Sequence, residues 1–422
     1  MIFWIWACNS GYDGKQVQLE NEPSSSPSSQ PEGEPSSSPT EEPSSPSEEP
    51  SEEPSQEPSS PAQEPTSEPS SSPTSEPETP FEPIDSGAFT YTSRSIVPIN
   101  GFIDFSVPLS AQATSIMLSI RGKEESIIYE VVSPNGDIVF SANDWYSTNQ
   151  MLTEAIYTSQ TGERAFNWPV RSIDQPLYEG EWDFAFFTND PSSTPAQIDI
   201  MIKQDAQLYS GTLNVMIAHT NDMNYVQDYD TVLDDAITIW RNIYAVHGIS
   251  LNIEFFGSNM SGDIPSPFEG SIDYYSLNGQ GNEQDILVVI GENIQGVSEQ
   301  FGVAGSIPGT TTRHQIGAIA ISWLYAAGPD GEFDSIDKQL LGETLAHEVG
   351  HYLGLPHVVE QNWARFDALS DTPTCSSVHN CESLFETNLM FPYPICDTQS
   401  CTPQTTISTD QVGVMHRYVG VD

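Results

Sequence analysis

The chain has 422 residues, with 60 acidic against 12 basic side chains and a formal net charge of −48. This length predicts two or three domains, and the sign of the charge excludes a nucleic-acid partner held through its phosphates and disfavours docking on an anionic membrane face. Hydrophobic residues make up only 37% of the chain, and there is no apolar run of about 18 residues, so we expect no segment to span a bilayer as a helix.

The N-terminus, residues 1–8, is a short apolar run that ends in Ala7-Cys8 and is followed by polar residues. It resembles a bacterial lipoprotein signal, in which Ile5-Trp6-Ala7-Cys8 would be the lipobox and Cys8 the acylated residue. The resemblance implies an exported protein, either secreted or held at the cell surface or outer membrane through a lipid anchor at Cys8. An apolar terminus without a signal role is the alternative.

Residues 9–85 form a low-complexity segment that consists, from residue 20 onward, almost entirely of Ser, Pro, Glu, Gln and Thr. Proline removes backbone donors, like charges repel, and almost nothing apolar is available to bury. We therefore predict a disordered, extended linker. If Cys8 is anchored, the same segment would act as a tether.

Residues 86–206 show the period-two alternation of β-strands. Turn signals such as Ser133-Pro134-Asn135-Gly136-Asp137 separate the predicted strands, which lie at 102–107, 115–120, 127–132 and 182–187. This pattern predicts an all-β antiparallel sandwich. It resembles the jelly-roll domains that accompany many secreted bacterial peptidases. Substrate or surface binding, assistance in folding and a latency function all stay open for it.

Residues 207–422 alternate between strands and helices. Strands are predicted at 213–219, 250–256, 285–290, 302–307 and 317–322, and a helix is predicted at 229–247. A second helix is predicted to begin at Ser335 as N-cap and to end near Leu353. The segment is therefore an α/β (α+β) domain.

This second helix carries His347, Glu348 and His351. Residues four apart share one helix face, so the two imidazoles can bind one ion. Gly354 permits the helix to end and Pro356 prevents it from resuming, so the chain can bring back His357 as a third imidazole. Three neutral nitrogens leave the fourth tetrahedral position of a Zn²⁺ ion for water, and Glu348 stays available to act on that water as a general base.

The eleven-residue motif from His347 to His357 resembles that of the metzincin zinc metallopeptidases. The order of strands and helices before it is similar to the N-terminal subdomain of that clan. The segment Asn388-Leu389-Met390-Phe391-Pro392-Tyr393 resembles its Met-turn, which would place Met390 beneath the zinc. The resemblance implies a mixed sheet, one catalytic Zn²⁺ and a protein or peptide substrate.

Within the clan, the motif and the following Leu369-Ser370-Asp371-Thr372-Pro373 resemble the pappalysin-like family. A tyrosine in that family usually lies two residues beyond the turn methionine and can approach the zinc or the oxyanion. Here Pro392 holds that position, and Tyr393, which follows it, is the candidate for the oxyanion- or zinc-proximal tyrosine. The family can also bind Ca²⁺ in this region, for which Asp371 and the acidic loop 330–334 carry oxygen donors.

Apart from Cys8, the cysteines are Cys375, Cys381, Cys396 and Cys401, all beyond the zinc motif. An even number in an exported protein predicts two disulfides, and the sequence does not choose among the three connectivities. A four-cysteine zinc site is the alternative. The other histidines lack ligand spacing and are expected to be surface or hydrogen-bonded core residues; they are His219, His247, His314, His379 and His416.

These observations predict a monomeric zinc endopeptidase that hydrolyses peptide bonds of extracellular proteins. In this mechanism Glu348 takes the proton of a metal-activated water and passes it to the leaving amine. A non-catalytic surface lipoprotein that retains zinc structurally and binds a partner through its sandwich is the competing hypothesis. A zinc hydrolase acting on a small amide is the third.

Overall fold

The computed structural model describes residues 84–85 and 89–421, apart from 159–160, 191, 206, 222, 224–227, 281–284, 298–299, 328–332 and 397–399. All described residues belong to one compact unit. The predicted signal with Cys8, the linker up to residue 83 and the loop residues 330–332 lie outside the described part. Within that part, no helix has both the length and the apolar character needed to cross a membrane.

The regular secondary structure in the first half of the described chain consists mainly of strands, as its period-two pattern predicts. A short helix α1 (Asn143–Tyr146) and a 3₁₀ turn (Glu154–Ile156) interrupt them. The strands are β1 (Ile84–Asp85), β2 (Phe89–Ile96), β3 (Phe102–Leu109), β4 (Ser115–Arg121), β5 (Ile127–Val132), β6 (Ile138–Ser141), β7 (Gln150–Met151), β8 (Arg164–Trp168), β9 (Gly180–Phe187) and β10 (Ala196–Lys203).

Two antiparallel sheets are formed by these strands, in the orders β1-β2-β10-β4-β8 and β3-β9-β5-β6. Aromatic side chains join them: the ring of Phe140 on β6 lies 5.0 Å from that of Phe166 and 5.8 Å from that of Trp168, both on β8. Ile116, Leu118 and Ile120 on β4 are fully buried. Below, this pair of sheets is called the sandwich.

The second half combines strands and helices. Its elements are β11 (Gly211–His219), α2 (Tyr229–Ala245), β12 (Ile249–Gly257), a 3₁₀ turn (Pro267–Glu269), α3 (Ile272–Leu277), β13 (Ile286–Gly291), β14 (Gly302–Ala304), β15 (Ile319–Ser322), α4 (Trp323–Ala327), α5 (Ser335–Tyr352), β16 (Phe366–Asp367), α6 (Val378–Phe385) and α7 (Thr409–Arg417). The molecule thus has the mixed α/β character that the sequence predicts.

Five of these strands form a mixed sheet in the order β12-β11-β13-β15-β14. Its strands run parallel except β14, which lies at the edge and runs antiparallel to β15. The strand predicted at 302–307 is therefore shorter than expected, because pairing with β15 ends at Ala304.

Helices α2 and α5 pack against each other at a small residue. A Cβ atom added at Gly342 of α5 would lie only 2.7 Å from the carbonyl oxygen of Ala236 on α2. The Tyr244 hydroxyl donates a hydrogen bond of 2.8 Å to the Ala346 carbonyl, also across this contact. The close approach fixes the position of α5, the helix that carries the first two histidines of the motif.

Candidate metal centre

The N-cap of helix α5 is Asp334, one residue before the Ser335 that the sequence predicts. The Asp334 carboxylate accepts hydrogen bonds from the backbone amides of Ile336 and Asp337, and the Asp337 side chain accepts one from the Asp334 amide. This reciprocal arrangement is a capping box. The prediction of Ser335 as N-cap was therefore wrong, because Ser335 already lies within the helix.

The end of α5 redirects the chain so that a third histidine can return. Gly354 has a φ of +104°, a conformation that a side chain would strain. The Gly354 amide donates to the His351 carbonyl at 2.8 Å, and the Leu355 amide donates to the Gly350 carbonyl at 3.0 Å. These bonds satisfy the last carbonyls of the helix and turn the chain towards His357.

The three histidines meet at their Nε2 atoms. His351 Nε2 lies 3.1 Å from both His347 Nε2 and His357 Nε2, and the remaining pair is 3.3 Å apart. Nitrogens that bind one tetrahedral zinc ion at about 2.0–2.1 Å are separated by about 3.3 Å. Among the described residues, these histidines form the one group of metal-ligating side chains that converge in this way.

Each ring presents its other nitrogen to an acceptor. The Nδ1 atoms of His347 and His351 donate to the carbonyls of Leu389 and Leu355, at 2.5 and 2.6 Å. His357 Nδ1 donates to the Glu360 carboxylate at 3.2 Å. Because carbonyl and carboxylate oxygens only accept, the protons lie on Nδ1, and three Nε2 lone pairs point at one another. This is a donor set that fits Zn²⁺, since a cation removes the repulsion between the lone pairs.

Burial favours the neutral form of the two imidazoles on α5, those of His347 and His351. All three histidines are at most 6% exposed. Burial lowers the pKa of His347 to about 3, and the adjacent His357 contributes to the shift. Burial also lowers the pKa of His351 well below its usual value, with His357 and His347 adding to it. These two imidazoles are therefore available as ligands at neutral pH without first losing a proton.

Glu348 lies beside this group and is not part of it. Its side chain is 2% exposed, and it packs against the edge strand: a Cβ added at Gly302 of β14 would lie 2.5 Å from Glu348 Cγ. Only glycine therefore leaves room for this carboxylate next to the strand. The contact fixes Glu348 between α5 and the sheet edge.

A cleft opens at this point. Its wall is mostly apolar and reaches the metal-ligand group, with a lining that includes Phe301, Leu340, Leu389, Phe391, His347 and Glu348. Tyr393 lines it as well, but its hydroxyl donates to the Glu382 carboxylate at 3.0 Å. Burial and this carboxylate raise the pKa of Tyr393. A role for Tyr393 at the oxyanion stays a prediction.

Met390 lies in the turn below α5. It is fully buried, and its Sδ atom would be 2.8 Å from a Cβ added at Gly350. The Met390 amide donates a hydrogen bond of 2.8 Å to Asn388 Oδ1, and the Met390 carbonyl accepts one of 3.1 Å from the Val358 amide. The turn therefore joins the backbone of α5 to the segment that carries His357.

The cysteines pair within short loops: Cys375 with Cys381, and Cys396 with Cys401. This pairing selects one of the three connectivities and overturns the four-cysteine zinc alternative.

At the predicted calcium donors, the Asp371 carboxylate accepts hydrogen bonds from the Ser408 hydroxyl at 3.0 Å and the Asp410 amide at 2.9 Å. It thereby holds the start of α7, and calcium binding there stays a prediction.

Two side chains and one backbone group that contribute to this site were missed in the sequence. Glu360 follows His357 by three residues, a spacing that could have suggested a contact. Glu343 lies one helical turn before His347 and lines the cleft; burial raises the pKa of its carboxyl, and Gln339 Nε2 donates to it at 2.7 Å. The Leu389 carbonyl, which accepts from His347 Nδ1, is a backbone group. No pattern of side chains in the sequence can predict such a contact.

Comparison with known proteins gives weak structural likeness. No family model and no curated protein matches the chain. Metalloproteinase-II from Bacteroides fragilis is similar over 52% of this chain and 61% of its own length, at 15% identity and a TM-score of 0.30. Archaemetzincin from Methanopyrus kandleri matches 49% of this chain and 88% of its own, at 13% identity and a TM-score of 0.26. Myroilysin matches 49% and 92%, at 16% identity and a TM-score of 0.24. The chain thus spans less than two thirds of the first of these proteins, and likeness at these TM-scores does not identify an activity.

Proposed function

We propose that this chain is a zinc-dependent endopeptidase. The observation that carries the proposal is the convergence of three buried imidazoles beside a buried carboxylate in the lining of a cleft. A closed structural zinc site uses four protein ligands, whereas the group found among the described residues has three. A position for water and a base to act on it are what hydrolysis requires.

The residues divide the chemistry as follows. His347, His351 and His357 would hold Zn²⁺ through Nε2, and the bound ion would supply a water of lowered pKa and polarise the scissile carbonyl. The Glu348 carboxylate accepts the proton of the attacking water and returns it to the amide nitrogen as the C–N bond breaks. Strand β14 lies at the sheet edge beside Glu348, where an extended peptide can pair with it.

The narrower parts of the proposal rest on sequence motifs. The Leu369–Pro373 segment and the Met390 turn support membership of the pappalysin-like family among the metzincins. The Ala7-Cys8 motif and the acidic, proline-rich segment after it support an exported protein that is tethered to a membrane and acts on extracellular proteins. Labelling with a radioactive fatty acid, lost on replacing Cys8 with Ser, tests the anchor.

Replacing Glu348 with Gln tests the activity. The variant keeps the size of the side chain but cannot take a proton, so we expect casein cleavage to fall about 10²–10⁴-fold while one zinc per chain is retained. Metal content is measured by mass spectrometry and cleavage by peptide release. Glu386→Gln, which removes an exposed carboxylate, is the matched control. Undiminished cleavage in Glu348→Gln would contradict the assigned base, and a zinc-loaded wild type inert against a broad peptide library would favour the binding-module hypothesis.

A further inference from the structure

The three imidazoles differ in what holds their Nδ1 atoms. His347 and His351 each donate to a backbone carbonyl, and both side chains project from the helix α5. His357 lies beyond the helix, in an irregular segment, and its Nδ1 partner is a carboxylate, that of Glu360. Of the three histidines, His357 is the one outside a helix, and its imidazole has the strongest type of acceptor, a carboxylate.

Glu360 is itself held in place by a turn. Its backbone amide donates to the Arg365 carbonyl, and its carbonyl accepts from the Trp363 amide, both at 2.8 Å. Val359 and Phe366 bridge the two arms of this turn in antiparallel fashion. The Glu360 side chain is only 17% exposed. The carboxylate is thus presented to His357 from a fixed backbone, as an orienting group must be.

We propose that Glu360 is a positioning residue for the metal centre: it holds His357 in the Nδ1–H tautomer, aims its Nε2 lone pair at the other two nitrogens and strengthens it as a donor. This inference rests on the metal-binding part of the proposed function. A negative charge hydrogen-bonded to the far side of an imidazole raises the electron density at the ligating nitrogen, and such partners typically contribute 10–100-fold to metal affinity.

Zinc affinity measured on the purified full chain tests the proposal. Apo-protein is titrated with zinc against a chromophoric chelator at fixed pH, for wild type, Glu360→Ala and Glu360→Gln. We expect Glu360→Ala to bind zinc about 10–100-fold more weakly. Glu360→Gln, which keeps an acceptor without the charge, should fall between the two. The exposed Glu386→Gln control should bind as the wild type does.

A second readout separates positioning from mere structural support. In ¹⁵N-labelled apo-protein, long-range ¹H–¹⁵N spectra report which ring nitrogen of His357 carries the proton. We expect the Nδ1–H form in the wild type and an admixture of Nε2–H in Glu360→Ala. A residue that only supports the fold would lower the unfolding midpoint and leave the tautomer unchanged.

Zinc affinity within twofold of wild type in a folded Glu360→Ala variant would overturn the proposal. If that variant fails to fold, Glu360→Gln decides, and wild-type affinity in Gln would overturn it equally. Failure of the proposed peptidase activity is a separate result. If the wild type binds zinc tightly but cleaves nothing, the proposed peptidase activity is contradicted. If zinc affinity is then still lost in Glu360→Ala, the positioning role of Glu360 is supported.

Discussion

At the scale of single residues, the site depends on two close contacts that only glycine permits. Gly350 leaves space for Met390 Sδ, and Gly302 leaves space for Glu348. The first glycine lies within the eleven-residue motif from His347 to His357. The second lies on the edge strand, 46 positions before the glutamate it contacts, and no local pattern connects the two.

Replacing Gly302 with Ala should therefore impair catalysis. The added Cβ would lie 2.5 Å from Glu348 Cγ and 3.0 Å from its Cδ, so the carboxylate must move. Overpacking of this kind costs about 1–3 kcal/mol, and we expect a fall in kcat/KM of about tenfold or more with zinc content unchanged. Peptide cleavage with parallel metal analysis measures both quantities.

Gly257→Ala provides the matched control for this change. Gly257 is the last residue of β12 in the same sheet, and a Cβ added there meets no atom within 4 Å. We expect its kcat/KM to equal that of the wild type. If Gly302→Ala were equally active, the edge strand would not determine the position of Glu348.

At the scale of elements, the sequence predicts helix α5 well and its first residue poorly. The apolar and histidine spacing places α5 correctly, and its apolar residues Leu341, Leu345 and Val349 are buried. Its start was ambiguous because Asp334 and Ser335 are both good caps. The cap is the residue whose side-chain oxygen faces the amides of Ile336 and Asp337. That orientation depends on the backbone conformation of the chain before the helix.

The corrected cap gives a prediction about stability. Asp334→Ala removes the acceptor of two helix amides and should lower the free energy of unfolding by about 0.5–2 kcal/mol. Ser335→Ala changes a residue inside the helix and should have little effect. Urea unfolding followed by circular dichroism compares the two variants. The opposite order of stabilities would restore Ser335 as the cap.

At the scale of the whole molecule, the sandwich is covered on a face that carries polar side chains. In β4, Ile116, Leu118 and Ile120 lie on one face of the strand, and Ser115 and Ser119 lie on the other. All of these residues are fully buried. Serines on one face of a strand indicate a polar environment, and they do not distinguish water from another part of the same chain.

The covering layer is a segment of the second half of the chain, residues 309–317, between β14 and β15. The Ser119 hydroxyl accepts a hydrogen bond from Thr310 Oγ1 at 3.3 Å. The Glu163 carboxylate of the sandwich accepts from the amides of Gln315 and Ile316, at 2.9 and 3.4 Å. The sandwich thus holds the connection that follows the edge strand of the proposed active site. Such contacts join residues more than 150 positions apart, beyond the reach of any local sequence pattern.

His314 places a buried imidazole in this layer, between two carboxylates of the sandwich. Its Nδ1 lies 3.2 Å from Glu163 Oε2, and its Nε2 lies 3.8 Å from Asp199 Oδ2. Arg121 also pairs with Asp199, at 3.1 Å, and the Tyr91 hydroxyl donates to Asp199 at 2.8 Å. Burial disfavours the charged imidazole, but Asp199 and Glu163 outweigh it and raise the pKa of His314.

This raised pKa predicts how the stability of the molecule depends on pH. A group whose pKa is higher in the folded than in the unfolded state contributes its full stabilisation below the unfolded value, about 6.5 for histidine, and loses it as the pH rises through the folded value. Thermal unfolding midpoints of wild type and His314→Gln should therefore differ most below about pH 6.5 and converge as the pH rises above it, because only the wild type has this stabilisation to lose. His379→Gln, an exposed change, should follow the wild type throughout. Parallel curves for wild type and His314→Gln would show that the charge on His314 does not hold the two halves of the chain together.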